Sequence, residues 1–336
     1  MGDVAMTVPV LRALAAQHPG VKITLVSRQF YKPLIENIPY VKFFSAHVHH
    51  RHKGFLGVFR LYKDLKSKGV TEIADLHNVL RSKIIRTLFS ISGIKTATVD
   101  KGRAEKAGLT RFKNKIFNPL PTMFERYAKV FEKLGFSVDL SNPTFQSKGI
   151  LDDGIISLIG EDIPLAIGKK LIGIAPFAQY DSKVYPLDLM QEVIDHLAST
   201  KTHKILLFGG GKKEMEILNS ISKGKENVIT IAGKLNFKQE LQLISNLDIM
   251  LSMDSGNGHI AAMQGVKVIT LWGATHPYTG FSPFRQPFEN ALISDRNLFP
   301  KLPTSVYGNK KVAGYENAMR TISPEMIIEK ITLSLK

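Results

Sequence analysis

Short apolar runs alternate along this chain with longer stretches whose apolar residues recur every third or fourth position, the pattern of strands separated by amphipathic helices. Residues 7–18 have the helical period, admit Pro9 near the first turn and stop at Pro19-Gly20, so a helix opens the chain. Strands are predicted at 22–26, 41–44, 72–76 and 95–99, and helices at 33–36, 54–67, 82–92 and 123–134. The next thirty-odd residues are irregular, broken by Asn142-Pro143, Asp152-Asp153-Gly154 and Gly168, and read as a linker. A second series begins with a strand at 171–175 and continues with strands at 204–208, 228–231, 249–253 and 266–271. Its helices fall at 187–198, up to about Ile221, and at 238–246. Strands alternating with helices predict parallel sheets joined by crossovers. The expected architecture is α/β, two Rossmann-like domains facing across a cleft: 1–150, then 151–323, with 324–336 as a C-terminal helix packing back toward the first domain.

A Rossmann-like half normally begins with a central strand, whereas this sequence opens at Met1-Gly2-Asp3, in the turn that would come after one. The first domain is therefore expected to lack its first strand. The natural protein is expected to carry about ten further residues upstream, with Met1 an internal methionine.

The most informative stretch is the strand 249–253 together with the turn and helix after it. The apolar run stops at Asp254, turns through Ser255-Gly256-Asn257-Gly258 and enters a small-residue helix from His259 onward. In open parallel sheets the carboxyl ends of strands face the binding crevice, and the first amides of the next helix carry partial positive charge. That is a place for phosphate, with Gly256 and Gly258 allowing close approach and Asp254 accepting hydrogen bonds from hydroxyls. An ordinary turn capped by Asp254 or Ser255 is the alternative.

Length and charge sharpen this picture. The 336 residues suit two domains, and 44% hydrophobic residues with no cysteine describe a globular chain without disulfides or thiolate-bound metal, as a reducing, cytoplasmic compartment would favour. There is no apolar run long enough to span a membrane, nor a leader at Met1. Of the net charge of +16, residues 1–150 carry 25 Lys and Arg against 10 Asp and Glu, leaving 20 against 19 in the remainder. The first half is thus expected to meet something large and anionic.

Met1-Gly2-Asp3-Val4 opening a helix, Ala175-Pro176-Phe177-Ala178 with Lys183-Val184-Tyr185-Pro186, Ala232-Gly233-Lys234 and the 254–262 stretch resemble, in that order, the lipopolysaccharide heptosyltransferases, glycosyltransferase family 9. The closing stretch 318–325 is similar to the family's segment before its last helix. The resemblance implies a GT-B fold and an inverting, metal-independent transfer from a nucleotide-activated sugar, usually ADP-heptose, to the inner core of lipopolysaccharide. It implies that Asp3 is the catalytic base, Lys183 the lysine that meets the donor phosphates and Asp254 the acid at the donor sugar. Ser255, Gly256, Asn257, Gly258, His259, Gln179, Gly233 and Lys234 fall in the donor-binding motifs. No cofactor is implied, the nucleotide sugar being a substrate. Taken singly, Asp3 reads equally as a helix cap, Lys183 as a surface lysine and His259 as a structural histidine. Two positions depart from the family pattern: Ala178-Gln179 where relatives carry hydroxyls before the lysine, and Ala318 where many have cysteine.

The family also suggests what the basic half meets. Arg51, Lys53, Arg60, Lys63, Arg81, Lys83, Arg103 and Arg111, with Lys106 and Lys113, are expected to dock the phosphates and carboxylates of an acidic lipid A-core acceptor, with the enzyme peripheral at the inner face of the bacterial inner membrane. His47, His49, His50 and His52 crowd together without the spacing of a structural zinc site and read as an exposed basic loop, whose protonation below about pH 6.5 would strengthen docking. Alternatives are a GT-B transferase using another nucleotide sugar for capsule or O-antigen, and a non-catalytic sugar- or nucleic-acid-binding protein. No nucleic-acid motif accompanies the charge, so nucleic acid is not expected as a partner.

Overall fold

The computed structural model describes residues 1–160 and 169–336, so Gly168 lies outside the described residues. The chain divides into two units, one of residues 3–102 and 121–145 with Met1, the other of 103–120 and 146–336 with Gly2.

The first unit runs α1 (Gly2–Gln17), β1 (Ile23–Ser27), β2 (Val41–Ser45), α2 (Gly54–Lys66), β3 (Glu72–Asp75), α3 (Leu80–Ile91) and β4 (Lys95–Thr98). After α4 (Arg103–Thr110), which belongs to the second unit, the chain returns for α5 (Met123–Leu134). Helix α1 begins five residues before the expected 7–18 span, which puts Pro9 in its interior, where the missing N–H leaves the Ala5 carbonyl without its helical donor. The predicted helix at 33–36 is a 3₁₀ turn over Gln29–Leu34. The strands form two parallel pairs, β1 with β2 and β3 with β4, and among the described residues no strand joins them into one sheet. Phe89 of α3 is fully buried with Leu61 and Leu65 of α2, and Tyr62 packs edge-on against it at 4.8 Å. Helix α5 is held at both ends, by a capping box between Thr122 and Glu125 and by Gly135 in the left-handed conformation.

The second unit continues with α6 (Asp153–Ile159), β5 (Lys170–Ala175), α7 (Leu187–Ser199), β6 (His203–Leu207), α8 (Gly211–Ser222) and β7 (Val228–Thr230). It ends with α9 (Phe237–Ile244), β8 (Ile249–Met253), α10 (Gly256–Met263), β9 (Lys267–Trp272), β10 (Ala291–Ile293) and α11 (Pro324–Leu335). Part of the expected linker is thus helical. Asp152, read as a breaker, is the N-cap of α6 and accepts the Ile155 N–H at 2.9 Å.

The six strands form one parallel sheet in the order β10-β9-β8-β5-β6-β7. Ile174 lies beside Leu207 on one side and Leu251 on the other, and every residue of β8 is buried. A strand covered on both faces needs apolar residues throughout rather than alternation, which is why 249–253 reads as a continuous run. Helix α11, expected to pack toward the first domain, buries Ile327 and Ile331 in the core of the second unit, against α7 and β8.

Candidate active site

The sheet of the second unit grows in two directions. From β5 the chain adds β6 and β7 on one side, then returns to place β8 against the other edge of β5 and adds β9 and β10 outward. The reversal lies between β5 and β8, and at such a switch point the loops leaving the two strands diverge and open a crevice beyond the strand ends. Lys183 comes from the loop after β5 and Asp254 from the end of β8.

Those two side chains meet there, Lys183 Nζ standing 3.2 Å from Asp254 Oδ2 with side-chain exposures of only 12% and 8%. Thr275, buried just beyond β9, donates its hydroxyl to the same oxygen at 2.9 Å. Asp254 is itself fixed by its backbone N–H, which donates to the Leu271 carbonyl at 3.3 Å. Lys183 closes a 3₁₀ turn, Asp181–Lys183, pinned on two sides. Ser182 Oγ donates to the Gly308 carbonyl at 2.6 Å, and the Ala274 N–H donates to the Ser182 carbonyl at 3.0 Å. Gly308 has φ +83°, and a methyl group there would lie 2.6 Å from Lys183 Cγ, so only glycine lets the two loops close on each other. Downstream, the buried Tyr185 hydroxyl donates to the Ile322 carbonyl at 2.7 Å, and burial pushes that phenol well above its ordinary range.

Beside the ion pair, α10 starts at Gly256 and its first amides have no intrahelical acceptor. Ser255 and Ser252 hydroxyls lie 3.1 Å apart, Asn257 is half-buried, and Gly258 and His259 are buried. Gln179 is exposed at the rim of a pocket it shares with Asp181, Ser182, Gly308 and Lys311. Gly233 and Lys234 come just after β7, three strands from β8 on the same edge, about 14 Å away at ordinary strand spacing. The residues expected to bind the donor thus lie along the carboxyl edge of one sheet, Lys183, Asp254 and the start of α10 at the switch point and Gly233-Lys234 toward its far side. Thr275, Ser182 and Gly308 were not singled out from the sequence. Thr275 has one signal, its place just past the carboxyl end of an apolar strand; the other two have none.

In the first unit, Asp3 is exposed in the opening turn of α1. Lys53, Arg60, Lys63 and Lys83 are exposed and Arg81 is half-buried. Arg51 is engaged by Asp64, with Nη2 to Oδ1 at 2.7 Å and Nε to Oδ2 at 3.0 Å. These bonds, and after them the one from His52, hold the Asp64 carboxyl down at about 2. His52 departs from the exposed-loop expectation: it is buried, accepts the His47 N–H at Nδ1 and meets Asp64 through Nε2 at 3.0 Å. Among the described residues no three His, Cys, Asp or Glu side chains are grouped to hold a metal ion, and no helix is long and apolar enough to cross a membrane.

Arg103 and Arg111, expected among the acceptor residues of the first domain, lie on the segment 103–120 that packs into the second unit. Lys106 on that segment is buried, with its ammonium over the Phe281 ring at 4.2 Å. Lys115 Nζ donates to the carbonyls of Leu109 and Pro303, and Leu120 N–H to that of Tyr278. Phe117 packs on His276 and Tyr278, and the Arg296 guanidinium lies 3.4 Å from its ring centroid. Burial, then Arg296 and Lys115, press the His276 imidazole down to about 4, so it is neutral and its Nδ1 accepts the Tyr278 N–H at 3.1 Å.

Residues 58–301 match the family Glycosyltransferase family 9 (heptosyltransferase). Lipooligosaccharide heptosyltransferase 2 of Haemophilus influenzae is 26% identical over 344 residues, covering 98% of this chain and 95% of its own. A glycosyl transferase of family 9 from Veillonella parvula superposes with a TM-score of 0.74 at 20% identity, over 99% of this chain and 94% of its own. The Escherichia coli heptosyltransferase WaaC, solved with ADP, gives 0.67 at 18% identity over 99% and 96%. The fold is the GT-B fold of these proteins.

Proposed function

Because the chain belongs to glycosyltransferase family 9, the heptosyltransferases, we propose that it transfers a heptose from ADP-heptose to the inner core of lipopolysaccharide, with inversion and without a metal ion. The observation that carries the reading is the Lys183–Asp254 pair at the switch point of the six-stranded sheet. A diphosphate entering there would meet Lys183 Nζ and the first amides of α10, while the Asp254 carboxylate accepts hydrogen bonds from the sugar. WaaC, which shares the fold, binds ADP, in keeping with an adenine nucleotide as carrier.

In this mechanism Asp3 takes the proton of an acceptor hydroxyl as its oxygen attacks the anomeric carbon from the face opposite the diphosphate. The new carbon–oxygen bond forms as the bond to the diphosphate breaks, the electron pair leaves on ADP, and the configuration inverts. Lys183 and the α10 amides offset the charge growing on the leaving group, a stabilisation worth about 10²–10³ in rate where such donors are removed. With that positive potential supplied by the chain, EDTA should leave turnover unchanged; loss of activity restored by Mg²⁺ would overturn the metal-free reading. The acceptor is an acidic glycolipid, met by the exposed cations of the first unit at the cytoplasmic face of the inner membrane.

Calorimetric titration with ADP, UDP and GDP, for wild type and Lys183→Ala, tests the reading. Preference for ADP, weakened by the substitution, is expected. Preference for UDP or GDP would move the donor to another nucleotide sugar, and no nucleotide binding would leave a non-catalytic protein.

A further inference from the structure

Asp254 Oδ2 takes two donors of unlike kind. Lys183 Nζ stands 3.2 Å from it at the end of a long unbranched stem, and the Thr275 hydroxyl donates to it at 2.9 Å. Thr275 is 1% exposed and β-branched, with few side-chain states open to it, so its hydroxyl moves little unless the backbone does. That backbone is held. The Ala274 N–H donates to the Ser182 carbonyl at 3.0 Å, and the Ala274 carbonyl accepts the N–H groups of Thr304 and Ser305 at 2.9 and 3.2 Å. A methyl group at Gly273 would come within 2.4 Å of the Ser182 carbonyl oxygen, so the loop after β9 lies directly on the loop that carries Lys183. Ser182 and Ala274 immediately precede Lys183 and Thr275, so a joined pair of loops delivers both donors to one oxygen.

We propose that Lys183 changes partners during binding, passing from Asp254 to the donor diphosphate, and that Thr275 is the positioning residue that holds Asp254 for the sugar meanwhile. This exchange rests on the reading of the switch point as a nucleotide-sugar site and adds an order of events to it. A diphosphate at the start of α10 attracts the ammonium, whose stem lets it swing, whereas the neutral, enclosed hydroxyl of Thr275 stays where it is. When Nζ leaves, the carboxylate loses the charge that cancels its own, at a place where it is only 8% exposed and beside a second anion. Thr275 then keeps Oδ2 hydrogen-bonded and the carboxyl plane fixed, so that Oδ1 is presented to the sugar hydroxyls.

The exchange lets the site tell a nucleotide sugar from a free nucleotide. A sugar hydroxyl that donates to Oδ1 offsets the charge that Lys183 uncovers. ADP brings no such hydroxyl and meets Asp254 as a repelling anion. Spent nucleotide is thereby held less tightly than donor, which favours its release after transfer.

Calorimetric titration with ADP and turnover of ADP-heptose test this on wild type, Asp254→Asn, Thr275→Val, Thr275→Ser and the double variant Asp254→Asn with Thr275→Val. Asp254→Asn frees the lysine beforehand and removes the repulsion, so it should bind ADP about tenfold more tightly while turning over more slowly. A gain in affinity cannot come from misfolding. Thr275→Val leaves the carboxylate without a donor once Nζ has gone, so it should weaken ADP about fivefold and lower kcat/KM for ADP-heptose about tenfold or more. Thr275→Ser keeps the hydroxyl and should restore both to within about threefold of wild type. In the Asp254→Asn background, Thr275→Val should change ADP affinity by less than about twofold. ADP affinity of Asp254→Asn equal to or below that of wild type would overturn the exchange and leave the donor reading standing. An equal effect of Thr275→Val with and without the Asp254 charge would overturn the positioning role. Failure of wild type to bind ADP would instead overturn the donor reading, and the exchange with it.

Discussion

Lys183 and Asp254, 71 residues apart in sequence, meet at 3.2 Å where the parallel sheet reverses its direction of growth. Both side chains are nearly buried, so the pair is held in a medium where an unpaired charge is costly. Lys183→Met or Asp254→Leu alone should cost up to about 3 kcal/mol of stability. The double variant should cost less than the sum by about 1–2 kcal/mol. Denaturant unfolding of the four proteins checks this, and strict additivity would mean that the pair is geometric only.

Asp3 is exposed in the first turn of α1, and the proposed mechanism makes it the general base. Asp3→Asn should lower kcat by about 10²–10⁴ while leaving ADP affinity within about twofold of wild type, because an amide cannot act as base. Turnover from ADP-heptose against ADP titration separates the two. A loss of less than about tenfold would assign the base elsewhere.

Gly308 at φ +83° touches Lys183 Cγ closely enough that any side chain must displace the lysine. Gly308→Ala should lower stability by about 1–3 kcal/mol through backbone strain. It should also weaken ADP binding about tenfold or more by moving Nζ, and an unaltered calorimetric titration would show that the lysine position is not set by this contact.

His276 gives the second unit a dependence on pH. Its folded pKa of about 4 lies below the ordinary 6.5, so the unfolded chain binds the proton more readily. The stabilisation from the neutral ring is complete above about pH 6.5 and is lost as pH falls toward 4, by up to about 3 kcal/mol. His276→Asn keeps an acceptor for the Tyr278 N–H without a titrating group, and should flatten the fall in Tm between pH 7.5 and 5. If both proteins lose Tm in parallel, the acid sensitivity comes from other groups.

What the sequence made legible depended on how local the cause was. Helix α5 could be bounded to the residue because its capping box and its terminal glycine lie within the segment itself. The strand-and-turn at 249–258 was legible because burial on both faces leaves an unbroken apolar run. Helix α4 was not, since Lys106, Gly108 and Thr110 are buried there beside Leu109 and give no apolar stripe. Thr275 enters the site only because β9 pairs with β8, a relation between distant segments that no local pattern records. The burial of His52 has the same cause, an aspartate near the far end of the next helix.

The excursion of residues 103–120 into the second unit has a consequence for how the protein is made. This strap leaves the ribosome well before the loops it packs on, and Lys115 must wait 188 residues for the Pro303 carbonyl. At ordinary synthesis rates that is about 10–40 s. During that time Phe117 and the stem of Lys106 have no surface to cover. The second unit thus includes a segment synthesised with the first, whose contacts with the stretch 276–303 can form only once that stretch has been made.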